Sequence, residues 1–287
     1  MEYKLNNMEK IIINTNEMIP SELAEKVFNI TDEASVILRK YFQQIIDIDY
    51  KKDEFDPVTV ADKESDTLIR EQLHKAFPDD LILSEENDNI PENYVDRVWM
   101  VDPLNGTKSF IKGVDTFGIV IGLVENRTPT FGCVTVPAQN KVFYAEKGKG
   151  AFEKIGSGFE KIHTSTISEI KGSRLITREP SGDIRPIEEK LNQIPFIQRI
   201  EEGSGAKLCT IAKGDAESHI NTNFRAGKWD IAAQQIILEE AGGIVTDLDG
   251  KPIDYQKESV NLERSFVASA NKELHEKIIA ELTKLQV

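Results

Sequence analysis

Four acidic residues stand where a regular element hands over to a loop. Asp62 in DPVTVAD opens a helical pattern, and Glu85 in LILSEE closes an apolar run. Asp102 in WMVDPLNGT is delivered by a hydrophobic run into a Pro and Gly turn, and Asp230 in GKWDIAA lies in the first turn of a strong helical pattern. Side chains at strand ends and helix starts project from a rigid scaffold into a crevice. Singly, each has a structural explanation, because Asp caps helices and opens turns. Together they form a set of oxygen donors from several elements without His or Cys, which is what a hard cation such as Mg²⁺ requires. Mg²⁺ in turn pairs with phosphate substrates. The DPLNGT turn fits that chemistry. Gly106 lets backbone N–H groups approach an anion, and Thr107 supplies a hydroxyl that can bind phosphate or orient water.

The composition excludes several other classes. Across 287 residues, 49 Asp and Glu oppose 35 Lys and Arg, a net charge of −14. A protein tracking a phosphate backbone needs a dense basic face, so no nucleic-acid polymer is expected as a partner. The longest apolar run, Phe117 to Val124, is far short of the roughly 20 residues that span a bilayer, so no membrane association is expected. The N-terminus lacks a basic start, an apolar block and a small-residue cleavage site, and no secretion signal is read there. Cys133 and Cys209 have no metal-ligand spacing and read as small buried hydrophobes of a reducing cytoplasm. His74, His163, His219 and His275 are scattered without a ligand pair.

The positioning elements are legible as periodicities. After a polar tail over 1–20, Ser21 stands as an N-cap, and apolar residues at Leu23, Val27, Ile30, Ala34, Ile37, Tyr41 and Ile45 predict one long amphipathic helix. A second helix is predicted over 62–76, with Leu68, Ile69, Leu73 and Ala76 as its inner face and Pro78 closing it. LILSE, VWMVD, FGIVIGLV, FGCVTV and KVFYAE then read as strands of one antiparallel sheet. From about residue 156, strands RLIT, FIQRI, SHIN, IVTDLDG and SFVASAN are interleaved with helices near 184–191, 203–214, 229–241 and 272–285. The fold class is α+β over 21–155, carrying most candidate ligands, and α/β over 156–287, carrying Asp230. The Gly-rich stretch 147–161 is the boundary candidate.

VTVAD, LILSEE, WMVDPLNGTKSF and WDIAAQQIILEEAGG, in this order and spacing, resemble the four signatures of the inositol monophosphatase superfamily. That group includes inositol monophosphatases, 3′(2′),5′-bisphosphate nucleotidases, one class of histidinol-phosphate phosphatases and fructose bisphosphatases. The resemblance covers about 20 to 285 and implies a five-layer αβαβα sandwich with the metals at the junction of its halves. It implies a Mg²⁺-dependent, lithium-sensitive phosphomonoesterase holding two or three Mg²⁺, acting on a small phosphorylated substrate, as a monomer or homodimer. Carried over by position, Glu85, Asp102 and the Leu104 carbonyl would hold one metal, and Asp102, Asn105 and Asp230 another. Asp62 and Thr107 would activate the attacking water, the Gly106 and Thr107 amides would grip the phosphate, and Ser204 and Arg225 would contact the substrate. Such a site would act by in-line water attack, with no covalent phosphoenzyme.

One position departs from the family, which has Asp where this chain has Asn105. An amide oxygen still ligates Mg²⁺, but the shell loses one negative charge, so weaker second-metal binding and reduced turnover are expected. An active phosphatase with one changed position, natural or engineered, and a catalytically silent phosphate-ester-binding member both remain open, the first being favoured. DPLNGTKSF, with Lys108 after the Thr, resembles the bisphosphate nucleotidases more than the inositol monophosphatases, while FIKGVDTFG resembles the histidinol-phosphate enzymes. Asn223 stands where inositol monophosphatases usually place a Glu, and Arg225 and Lys228 flank the WD pair, where they could hold a second phosphate or be solvated loop residues. The expected substrate order is 3′-phosphoadenosine 5′-phosphate, then inositol phosphate, then histidinol phosphate.

Overall fold

A computed structural model describes residues 20–45, 47–51, 57–87, 97–177, 186–201, 203–221, 226–255, 262 and 265–286. The chain runs through α1 (Glu22–Tyr41), β1 (Ile48–Tyr50), β2 (Pro57–Thr59), α2 (Val60–Ala76), β3 (Leu81–Ser84), β4 (Arg97–Asn105) and α3 (Thr107–Ile111). Next come β5 (Gly118–Glu125), β6 (Thr128–Val136), β7 (Lys141–Glu146), β8 (Gly150–Ile155) and β9 (Gly158–Ile162). The remainder is β10 (Arg174–Thr177), α4 (Pro186–Leu191), β11 (Gln198–Glu201), α5 (Lys207–Ala212), β12 (Ser218–Asn221), α6 (Lys228–Glu240), β13 (Ile244–Asp247), β14 (Phe266–Ser269) and α7 (Lys272–Lys284).

Strands β3 to β9 lie side by side in sequence order as a seven-stranded sheet, with only the β3–β4 pair parallel. Because side chains alternate along a strand, β4, β5 and β6 feed two cores at once. Trp99, Val101, Ile119, Ile121 and Phe131 face α1 and α2, meeting Val27, Ala34, Leu38 and Ile69. Met100, Val120 and Val134 face the other way, against Ile211, Ala232 and Ile236 of α5 and α6. The same two helices cover Ile176, Val245 and Ala268 of a five-stranded sheet ordered β11-β10-β12-β14-β13. Leu175, Ile220 and Val267 on its far face carry Leu191, Leu274 and Ile278 of α4 and α7. The result is the expected αβαβα sandwich, with α5 and α6 as the central layer.

Local differences from the periodicity have visible causes. Ser21 does cap α1, its Oγ accepting from the Ala24 amide at 3.2 Å. The helix stops at Tyr41, short of Ile45, because Phe42 turns into extended backbone and inserts its ring between Phe110 and Phe117, at centroid distances of 5.6 and 4.8 Å. Ile45 is left fully exposed. The short antiparallel pair β1–β2 forms where the sequence carries no strand period. The Gly-rich stretch 147–161 folds as the end of the first sheet, β8 pairing with both β7 and β9, and the chain passes to the second sheet between Ile162 and Arg174.

Candidate active site

Two of the four acids occupy the same helical position. Asp62 is the third residue of α2, where it closes a capping box with Thr59, and Asp230 is the third residue of α6, where its carboxylate reaches back to the amide of the N-cap Gly227. Helix N-termini leave amides unsatisfied, and a carboxylate three residues in can reach back to one of them. Asp62 Oδ2 accepts from the Thr59 amide at 2.8 Å and from Thr59 Oγ1 at 2.6 Å; Asp230 Oδ2 accepts from the Gly227 amide at 2.5 Å. In both residues Oδ2 is committed to the helix and Oδ1 is turned elsewhere. Asp62 Oδ1 accepts from Thr107 Oγ1 at 3.1 Å, and Asp230 Oδ1 accepts from Asn105 Nδ2 at 3.0 Å. The cap and the site are therefore two ends of one carboxylate.

Strand β4 delivers the facing residues. Asp102 pairs with Val120 and Asn105 with Gly118, so three steps on β4 oppose two on β5. The extra residue makes a bulge, which re-aims side chains at a sheet end. Within it the Leu104 amide donates to Asp102 Oδ1 at 3.1 Å, and the Pro103 carbonyl accepts from Ser65 Oγ of α2 at 2.9 Å. Gly106 follows with φ 90° and ψ 39°, a left-handed conformation that costs glycine nothing and starts α3 at Thr107. Thr107 Oγ1 lies within reach of both Asp62 Oδ1 and the Leu104 carbonyl, the latter at 3.2 Å.

Carboxylate oxygens of Glu85, Asp102 and Asp230 come within 4.8 Å of one another, the one such group among the described residues. Asp102 is 1% exposed, and burial together with Glu85 and Asp230 holds its carboxyl well above the usual range. Burial and then Glu85 push Asp230 up to about 7, and burial pushes Asp62 up to about 6 against its bonds to Thr59 and Thr107. A cation among these groups would relieve that repulsion. The donor set suits a hard cation: every group is an oxygen, and Asn105 Oδ1, on a residue 3% exposed, is a buried acceptor without a hydrogen-bond partner. One cation is supplied by the chain itself. Lys51, just after β1, places Nζ 2.8 Å from Glu85 Oε1 and 2.6 Å from Glu86 Oε1. Its charge tempers Glu86, which burial nonetheless raises to about 7.

Asp62, Glu85, Asp102, Leu104, Asn105, Gly106, Thr107 and Asp230 are thus brought to one end of β4 and the starts of α2 and α6. Ser204 opens a short 3-10 turn whose next residue, Gly205, donates to the Thr116 carbonyl beside β5. Arg225 and Asn223 lie outside the described residues. Lys228 is 2% exposed, which excludes a freely solvated loop residue. Lys51 lies in a short polar stretch with no periodicity, and Glu86 is simply the second acid of LILSEE, so the sequence carries no signal that singles out either. The two cysteines are buried as expected and are not joined in a disulfide, and His219 and His275 are buried with hydrogen-bond partners. No helix among the described residues is long and apolar enough to cross a membrane.

The inositol monophosphatase family model matches residues 20–286. The chain is 30% identical to the 3′(2′),5′-bisphosphate nucleotidase CysQ of Aggregatibacter actinomycetemcomitans, over 87% of this chain and 93% of that one. It is 32% identical to a histidinol-phosphatase of Mycobacterium tuberculosis, over 77% and 85% of the two chains. Among solved structures, an IMPase from Thermotoga maritima superposes with a TM-score of 0.79 at 26% identity, covering 93% of this chain and 98% of the other. With fold, acidic cluster and sequence in agreement, the chain belongs to the inositol monophosphatase family, a family of phosphoric monoester hydrolases.

Proposed function

We propose that the chain is a Mg²⁺-dependent phosphomonoesterase whose preferred substrate is 3′-phosphoadenosine 5′-phosphate, cleaved to AMP and phosphate. The observation that carries the reaction class is the Thr107–Asp62 contact of 3.1 Å beside the cluster of Glu85, Asp102 and Asp230. Asp62 Oδ1, with its carboxyl raised to about 6, is placed to accept through Thr107 Oγ1 the proton released when water attacks phosphorus. Amides of Gly106 and Thr107 are presented by the left-handed turn to the phosphoryl oxygens. Glu85, Asp102, Asp230, the Leu104 carbonyl and Asn105 Oδ1 would hold Mg²⁺, which when bound lowers the pKa of water and neutralises the leaving oxygen. Asn105 leaves that shell one charge short, so turnover is expected below that of an Asp-bearing relative.

For the substrate, Lys108 beside Thr107 supports a doubly phosphorylated ester, as in the bisphosphate nucleotidase motif. Relatives named for bisphosphonucleotides and for histidinol phosphate match this chain equally closely, so the discriminating experiment is a rate panel. Rates of phosphate release from 3′-phosphoadenosine 5′-phosphate, inositol 1-phosphate and histidinol phosphate are compared with Mg²⁺ in excess, on this chain and on Asn105→Asp. At least tenfold higher kcat/KM for the nucleotide supports the proposal, and preference for either other ester overturns the substrate. No turnover of any ester by either protein would make the chain a silent phosphate-ester-binding member.

A further inference from the structure

We propose that the cross-strand glycine pair Gly122–Gly132 positions Asp230, by letting α6 lie directly on the backbone of the first sheet. This rests on the reading of Asp230 as a cation ligand. Gly122 of β5 and Gly132 of β6 are direct partners, and Met100 of β4 completes their row. The next row on the same face of these strands, two residues along, holds Asp102, Val120 and Val134. Met100, Val120 and Val134 all pack toward α6, so the two glycines lie on the α6 face, one row from Asp102.

A methyl group has no room at either glycine. A Cβ on Gly132 would stand 2.4 Å from the Ala233 carbonyl oxygen and 2.8 Å from Ala233 Cα; one on Gly122 would stand 2.8 Å from the Ala233 amide nitrogen and 3.1 Å from Ala232 Cβ. Most of these obstacles are main-chain atoms, so the helix itself must move. Its C-terminal end is pinned to the same sheet, where the Glu240 carboxylate accepts from the Gly148 and Gly150 amides at 2.7 and 2.8 Å. A lift at Ala233 is therefore taken up toward the N-terminal end, one turn away at Asp230. Displacements of about 1 Å in such a constellation cost on the order of a hundredfold in function.

The test uses the full chain, Mg²⁺ alone as the ligand, calorimetric titration for affinity and thermal melting for stability. Gly132→Ala and Gly122→Ala are compared with Leu123→Ala, which removes a buried side chain from the opposite face of β5 and leaves the helix seat intact. Gly132→Ala is expected to weaken Mg²⁺ binding at least tenfold and Gly122→Ala less, with Ala232→Gly recovering part of the Gly122→Ala loss; Leu123→Ala stays within twofold of the parent despite melting lower. Parental Mg²⁺ affinity in Gly132→Ala, or in Gly122→Ala where the former does not fold, overturns the proposal, as does an equal loss in Leu123→Ala. Asp230→Asn serves as the reference: if it binds Mg²⁺ like the parent, the ligand reading of Asp230 fails instead.

Discussion

Asn105 Nδ2 donates to Asp230 Oδ1 across 3.0 Å, tying the end of β4 to the start of α6 through one amide hydrogen bond. The contact places the positive end of an amide dipole against a carboxyl that burial already raises to about 7. An Asp at this position would exchange that donor for a second negative charge. In chelator, Asn105→Asp is therefore expected to lower stability by about 1–3 kcal/mol, the cost of a lost buried hydrogen bond plus like-charge repulsion. Excess Mg²⁺ should reverse the order, because the added carboxylate is then neutralised and becomes a ligand. Thermal melts of both proteins in EDTA and in Mg²⁺ check the crossing, and phosphatase turnover of the Asp form should rise at least about tenfold.

Asp62 serves the α2 cap with Oδ2 and Thr107 with Oδ1. A substitution that keeps the cap but removes the proposed base should separate the two roles. Asp62→Asn retains an oxygen for Thr59, so its melting temperature is expected within a few degrees of the parent, while phosphate release falls by about 10²–10⁴, the usual contribution of a general base. Thr107→Val should fall comparably and Thr107→Ser far less, since only the hydroxyl links the water to Asp62. Steady-state rates at saturating Mg²⁺ alongside melting curves test this; equal losses in Thr107→Ser and Thr107→Val would contradict it.

The position of the helix-borne acids was legible in the sequence because an Asp in the first turn of a helix can cap it with one oxygen and turn the other outward. Asp62 and Asp230 read as either cap or ligand, and the structure makes Asp62 cap and Thr107 acceptor at once. The layer order was legible because period 3.6 gave way to period 2 after Pro78, and strands alternated with helices after β9. Contacts that depend on three-dimensional proximity were not. Nothing in FGIVIGLV or FGCVTV marks Gly122 and Gly132 as partners beneath α6, because register is a property of two strands together. Lys51 meets Glu85 across 34 residues of sequence, from a loop that no pattern ties to the site. Phe42 ends α1 by packing with Phe110 of α3 and Phe117, the residue before β5, a tertiary choice that overrides a helical period running on to Ile45.

Lys51 bridges Glu85 and Glu86 at 2.8 and 2.6 Å and is largely withdrawn from water. Its ammonium balances an acidic pocket and at the same time engages an oxygen that a divalent cation would use. Lys51→Met, close in length and uncharged, should therefore destabilise the protein in chelator, where Glu85 and Glu86 lose their counter-ion. The same change should steepen stabilisation by Mg²⁺, since binding stabilises the fold according to ligand affinity and concentration. Melting temperature followed over a Mg²⁺ titration reads both effects. A Lys51→Met protein whose Mg²⁺ response parallels that of the parent would show that the lysine does not compete for Glu85.

His275 sits between the second sheet and α7, with Thr246 Oγ1 2.8 Å from Nε2 and Ser269 Oγ 2.9 Å from Nδ1. Burial lowers its pKa from 6.5 to about 4, and burial lowers that of His219 to about 3. Both imidazoles are neutral in the fold, whereas in the unfolded chain they take up protons below about pH 6.5. Their contribution to stability is thus complete above pH 6.5 and is lost as the pH falls toward the folded values, by at most about 1.4 kcal/mol per pH unit for each. The raised carboxyls of the site titrate with the opposite sign, since they gain protons earlier in the fold than in the unfolded chain. The histidine effect is accordingly read as a difference, by urea unfolding of the parent and of His275→Gln at several pH values in chelator. The parent's advantage over the variant should be constant above pH 7 and shrink steadily between pH 6.5 and 4.5. An advantage that stays constant over that range would mean that His275 protonates as readily in the fold as outside it.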